Sequence, residues 1–298
     1  MKIQEADKII FLISGGVGKN IIATAVVKAI RREFPKKEIV VATPHTLIWK
    51  NNPNVDHLVD FTKSQNFYEK YFVDSSSFFM GNDPYLETNF IYKRKNLMQI
   101  WTEMFGIEYK NEQPEMFFTE AEKLDVKNKL PIDKPIFMLQ TSGGPAQQEF
   151  PISWMRDMPL QIAQEIVDEM ISRKYRVVHF RRPDQYSLEH ADHLNLNLRE
   201  YMCAIQFADK CLFIDSVAQH AAAAVNKPSV VAWVGNTPDV FGYKLHTNLT
   251  PNKDKEFRHM IDSYLDEYNI HGTLHECPYN SNDLFDKDRI LEALDKLK

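Results

Sequence analysis

The chain has 298 residues, a formal net charge of -5 and 44% hydrophobic residues, which excludes global disorder and argues against a generic polyanion binder. No apolar run approaches the roughly 20 residues that span a bilayer. The three cysteines, Cys203, Cys211 and Cys277, lack C-x-x-C spacing and read as reduced thiols of a soluble, cytoplasmic protein, with no disulfide framework and no structural zinc.

Residues 9–13 are a short apolar run that reads as a first buried strand. The glycine loop Gly15-Gly16-Val17-Gly18 follows at once. Apolar residues then recur at helical spacing at Ile21, Ile22, Ala25, Val26, Ala29 and Ile30, and Pro35 ends the helix. Residues 38–42 are the next strand, completing the opening of a doubly wound α/β domain. Residues 61–118 hold 15 of the 35 aromatics, with a helix predicted over 96–105. A charged, proline-containing stretch at 124–134 predicts a boundary, dividing the chain into domains 1–130 and 131–298.

The alternation resumes with a strand over 136–140 and the loop Thr141-Ser142-Gly143-Gly144. A helix follows over 160–173, a strand over 175–180, a helix over 199–208 and a strand over 211–214. A helix over 217–225 and a strand over 229–234 come next. Helices near 254–268 and 288–297 close the chain, the last one free to pack back on the first domain. The expected architecture is α/β: two Rossmann-like domains with a ligand cleft between them.

Glycine is scarce, ten residues in all, and five of them fall in the two loops named above. A chain this sparing places glycine where backbone turns tightly or approaches a ligand. The first loop superficially resembles a phosphate loop but fails the pattern twice. Ile13 stands where the first glycine belongs and Asn20 where the magnesium-binding hydroxyl belongs. It still presents a helix N-terminus, with Gly16, Gly18 and Lys19 as candidate contacts. Lys93 and Arg94, beside Lys95, offer positive charge to an anionic acceptor, or are solvated charges at a helix start. Arg181 follows a strand at the carboxyl edge, where α/β sheets bind ligands, and is a candidate phosphate or ribose contact. The Asp286-Lys287-Asp288 pattern reads as a helix cap rather than a metal motif.

The strongest signal runs from Phe213 to Gly235. A strand ends in Asp215, Ser216 stands at an N-cap, and a small-residue helix with His220 and Ala221 to Ala224 follows. Then come Lys227-Pro228, a strand, Gly235, Thr237 and Pro238. These residues resemble the signature of the heptosyltransferase-like glycosyltransferases, roughly D-[TS]-G-x-x-H-x-A-A-A followed by K-P, a strand and G-x-[TN]-x-P. Val217 replaces the usual glycine. The segment from Gly18 through Ala23-Thr24 and Ala29-Ile30 is similar to the family's first helix, and residues 140–144 resemble its second-domain phosphate loop.

The resemblance implies a GT-B fold, and transfer of a sugar from a nucleotide-diphosphate donor to an acceptor hydroxyl, inverting and without cofactor or metal. It places the donor against Thr141, Ser142, Gly143, Gly144, Arg181, Asp215, Ser216, Val217 and His220. The acceptor, an anionic glycan such as lipopolysaccharide, falls to Gly16, Gly18, Lys19, Lys93 and Arg94. Two alternatives stay open: a phage-type enzyme acting on a hydroxymethylated DNA base, and a non-catalytic nucleotide-sugar or glycan binder. In the family an aspartate follows the loop glycine as proposed base, where this chain has Lys19. The catalytic candidates are therefore Asp74, Asp83, Glu87 and Lys19 itself.

Overall fold

A computed structural model describes residues 2–73, 76–143, 156–252 and 283–297. Asp74, Gly144, Cys277 and the helix expected over 254–268 lie outside the described residues. The chain divides into two compact units, Met1–Thr119 and Glu120–Lys298. The division falls ahead of the 130/131 boundary expected from composition. The helix Glu120–Lys129 packs with the second unit, where Glu122 pairs with Arg199 at 2.8 Å and Lys129 with Glu200 at 2.7 Å.

The first unit holds a four-stranded parallel sheet: β1 (Lys8–Leu12), β2 (Glu38–Ala42), β3 (His57–Val59) and β4 (Ser77–Met80), ordered β3-β2-β1-β4. β1 pairs in register with β2 on one side (Ile10 opposite Val40) and with β4 on the other (Ile10 opposite Phe79). The central strands are continuous apolar runs because helices cover both faces of a parallel sheet. Ile10, Val40 and Ala42 pack with Val59 and Tyr71. Phe11 meets Trp101 and Phe105 edge-on at 5.1 and 5.0 Å. Much of the aromatic middle therefore fills a core. The helix predicted from the 3.6 period forms over Val17–Glu33.

The second unit holds β5 (Ile136–Leu139), β6 (Arg176–His179), β7 (Lys210–Ile214), β8 (Val230–Ala232) and β9 (Thr247–Leu249), all parallel, in the order β6-β5-β7-β8-β9. The last helix, Lys287–Asp295, buries Ile290, Leu291 and Leu294 in this unit's own core with Phe137, Val167 and Leu212. Asp286 caps it, accepting from the Asp288 N–H at 2.9 Å, as the sequence predicts. Among the described residues no helix is long and apolar enough to cross a membrane. Cys203 and Cys211 are buried free thiols, pushed by burial up to about 11 and about 12.

In each unit the winding reverses beside the first strand. β1 leads to β2 on one side and β4 lies on the other. β5 leads to β6 on one side and β7 lies on the other. At such a switch point the loops leaving the carboxyl ends of adjacent strands part, and ligands of open α/β sheets bind there.

The turn after the helix Pro238–Phe241 tests the packing of the second unit. Gly242 donates to the Pro238 carbonyl at 2.8 Å, and a Cβ there would stand 2.5 Å from that oxygen and 2.8 Å from the proline Cβ. Gly242→Ala should cost about 1–3 kcal/mol through overpacking, read as a lower urea midpoint at unchanged m-value.

Candidate active site

The second unit's switch point is built from the loops after β5 and β7. Gln140, just past β5, ties them together. Its amide donates to the Ser142 carbonyl (3.1 Å) and to Ser216 Oγ (3.2 Å), and its Oε1 accepts from the Ala218 N–H (3.2 Å). Ser216 stands at the N-terminus of the helix Val217–Ala224 with no side-chain cap bond, so its hydroxyl oxygen accepts from no helix amide. A side chain at 143 would press on Ser216, since a Cβ there lies 3.1 Å from its Oγ. Any larger residue at 143 would push Ser216 aside by a few tenths of an ångström. The Gly143 N–H is already held by Asp157 Oδ1 at 2.7 Å, and its carbonyl accepts from Gln185 at 3.2 Å.

Asp215 is almost wholly buried. Burial pushes its carboxyl above the usual range, opposed by the Arg156 guanidinium 4.0 Å away and by hydrogen bonds from Asn236 and Gln219. Thr141 Oγ1 lies 3.0 Å from His179 Nε2. His220 is turned into the unit, its Nδ1 2.8 Å from the Tyr243 hydroxyl, and His246 Nε2 lies 3.0 Å from the Gln219 carbonyl. Arg181 folds onto its own loop, donating to the carbonyls of Arg182 (3.1 Å) and Gln185 (3.2 Å). Thr141, Ser142, Gly143, Asp215, Ser216 and Val217 thus converge on the two loops, while His220 packs behind them.

The first unit's switch point carries the glycine loop and the turn after β4. Gly15 has φ +93°, a left-handed conformation, and a Cβ there would come within 3.1 Å of Lys19 Cδ. The His45 ring nitrogen 3.0 Å from its carbonyl fixes the loop. Gly16, at the N-cap of the helix, has open space around it. Asn20, the residue that breaks the phosphate-loop pattern, is a structural anchor. Its Oδ1 accepts from Thr43 Oγ1 (2.6 Å) and Trp49 Nε1 (3.1 Å).

Lys19 and Asp83, separate candidates in the sequence, meet here. Lys19 Nζ lies 2.7 Å from Asp83 Oδ2, 4.6 Å from the Tyr85 ring centroid and 5.5 Å from that of Trp101. Burial lowers the Lys19 pKa, and the Asp83 hydrogen bond and charge oppose that shift. Glu87 is exposed at the start of a short helix. Arg94 lies over the Tyr92 ring at 4.7 Å, and Lys93 adopts φ +54° in the same turn. Among the described residues no group of three or more His, Cys, Asp or Glu side chains is arranged to hold a metal ion.

Sequence reading took in Gln140 only as part of the loop 140–144, and missed Arg156, Asp157 and Asn236. Only Asn236 had a local signal, inside the motif at Gly235 to Pro238. Arg156 and Asp157 act through groups on loops elsewhere in the chain, Asp215 and the Gly143 N–H.

The fold is that of the two-Rossmann GT-B glycosyltransferases. The structure of a glycosyl transferase family 9 protein from Veillonella parvula superposes with a TM-score of 0.67 at 11% identity, over 99% of this chain and 98% of that one. The ADP-heptose lipopolysaccharide heptosyltransferase II of E. coli gives 0.67 at 14% identity, over 97% of each chain. The E. coli heptosyltransferase WaaC with ADP gives 0.55 at 11% identity, over 82% of this chain and 93% of that one. Neither a protein-family model nor a curated protein matches the sequence. The resemblance read from residues 213–238 is thus borne out as a likeness of fold.

The buried histidines make stability depend on pH. Burial first, then neighbouring positive groups, lowers His179 from 6.5 to about 4 and His220 to about 3, and burial lowers His246 to about 4. Each is neutral when folded and takes a proton on unfolding below 6.5. Their contribution is complete above that value and is lost as pH falls from it toward 4 and 3. The urea midpoint should therefore fall between pH 7 and pH 5, about neutral to mildly acidic, and His220→Gln should make that decline shallower.

Proposed function

We propose that the chain is a glycosyltransferase that moves a sugar from a nucleotide-diphosphate donor to a hydroxyl of an anionic glycan, such as a lipopolysaccharide core. Transfer inverts the anomeric carbon and uses no metal. The second unit receives the donor and the first the acceptor. The observation that carries this reading is the arrangement at the β5/β7 switch point. Ser216 Oγ stands against Gly143 at the start of the helix Val217–Ala224, and the Arg156 guanidinium stands against Asp215 in the same loop. Charge develops on the diphosphate as the glycosidic bond breaks. Preorganised N–H and O–H groups and a helix N-terminus stabilise that charge at little reorganisation cost.

Arg156 has a defined part in this reading. It lies near a buried carboxylate that it helps to keep ionised. A diphosphate would share the same guanidinium, whose planar fork suits phosphate oxygens. Lys93 and Arg94, in the first unit, supply positive charge beside the exposed Tyr92 ring for an anionic acceptor.

A thermal-shift panel of ADP, UDP and GDP with ADP-D-β-D-heptose, UDP-glucose and GDP-mannose tests the donor reading. At least one should raise the melting temperature. A ligand at a hundred times its Kd contributes about 2.7 kcal/mol. Arg156→Met should weaken the bound nucleotide about tenfold or more, the size of a lost charged hydrogen bond. A flat panel sinks the reading. Binding of duplex DNA that weakens steeply with salt would move the acceptor from a glycan to a DNA base.

A further inference from the structure

We propose that Asp83 is the catalytic base, taking the proton of the attacking hydroxyl, and that Lys19 is the positioning residue that aims it. This rests on the glycosyl-transfer reading above. In the step, the hydroxyl oxygen forms a bond to the anomeric carbon. The bond from that carbon to the diphosphate oxygen breaks, its electron pair leaves with the diphosphate, and the hydroxyl proton passes to the Asp83 carboxylate.

The argument begins with location. β1 and β4 are hydrogen-bonded neighbours, Phe11 opposite Met80, and both run into loops at the sheet's carboxyl edge. Asp83 is on the β4 loop and Lys19 follows the β1 loop. These are the two sides of the first unit's switch point.

The carboxylate is held at both oxygens. Oδ1 accepts from the Tyr85 N–H at 3.0 Å, where Pro84 opens a 3-10 turn, and Oδ2 accepts from Lys19 Nζ at 2.7 Å. An ionised carboxylate offers about four lone-pair sites, so two such bonds leave it able to accept a proton. The two partners are unequally exposed: 37% of the Asp83 side chain is accessible and only 5% of Lys19. The acid group therefore faces outward, and the ammonium lies beneath it against the faces of Tyr85 and Trp101.

Gly15 permits this arrangement. Its left-handed φ turns the loop, and its missing side chain clears the path of the Lys19 methylenes. A lysine whose ammonium is already committed to a carboxylate and two rings is a poor proton acceptor, so the base is its partner. Glu87 lacks any comparable framework, with no side-chain bond at its helix start.

The test compares wild type with Asp83→Asn, Asp83→Ala, Lys19→Met and the double variant Lys19→Met/Asp83→Asn. The last buries no uncompensated ammonium and keeps the test alive if Asp83→Asn fails to fold. Two readouts run in parallel. One is binding of whichever of ADP, UDP and GDP gives the largest thermal shift. The other is release of that nucleotide from its sugar conjugate, with water as the attacking hydroxyl.

Wild type should bind and release. Asp83→Asn and the double variant should bind within about twofold of wild type and release at least about a hundredfold more slowly, the usual contribution of a general base. Lys19→Met should lower kcat with KM unchanged. Sodium formate should restore release to Asp83→Ala, which a purely structural aspartate would not allow. Wild-type release by Asp83→Asn, absence of formate rescue, or a wild-type chain that binds nucleotide yet releases none overturns the assignment. A wild-type chain that binds none of the nucleotides overturns the glycosyl-transfer reading itself, and the base with it.

Discussion

A parallel strand cannot return by a hairpin, so each pair of successive strands in a sheet, among the described residues, is joined by a crossover that carries the chain back to the same edge. Crossovers keep one hand, so the winding can change direction only by starting again on the other side of the first strand. Each unit does so once, between β1 and β4 and between β5 and β7. The loops leaving the strands at those two places carry the polar groups of both candidate sites. Gly15 to Lys19 and Asp83 lie at one, and Thr141 to Gly143 with Asp215 and Ser216 at the other.

Both places also hold a charge that burial opposes. Lys19 is nearly inaccessible, and so is Asp215. An unpaired buried charge is among the most costly features a fold can contain. The two units meet the problem in parallel ways. Lys19 has the Asp83 carboxylate and two aromatic faces. Asp215 has the Arg156 guanidinium and the amides of Asn236 and Gln219. In each case the compensating charge is the more exposed of the two, since side-chain accessibility is 37% for Asp83 and 23% for Arg156.

The elements legible in the sequence were those with long or strongly patterned apolar runs. β1, β2, β5, β6, β7 and β8 all appear within a residue or two of where composition put them. The strands that escaped, β3, β4 and β9, are three or four residues long and each lies at a sheet edge. An edge strand is half uncovered and needs no continuous apolar run. In β3 only Val59 is buried, and in β4 only Met80, so neither shows a continuous apolar face. The candidate site divides the same way. Asp215, Ser216 and the small-residue helix were visible because a strand end, a cap and a helix start are contiguous. Arg156 was not, and the role of Gln140 was not, because their partners Asp215 and Ala218 lie far along the chain in the loop and helix after β7.

The sequence by itself determined the alternation of strand and helix, hence two parallel sheets, and the placing of glycine in two loops that open a helix or approach a neighbour. Local periodicity and backbone freedom act within a few residues, so they can be read from the chain alone. Only the tertiary structure decided that Lys19 and Asp83 are one device. They are separated by three intervening strands, and no spacing rule joins them. Their meeting follows from β4 pairing with β1 instead of continuing beyond β3. That choice is made by the whole sheet, through which apolar faces it buries, and it brings a distant carboxylate to a buried lysine.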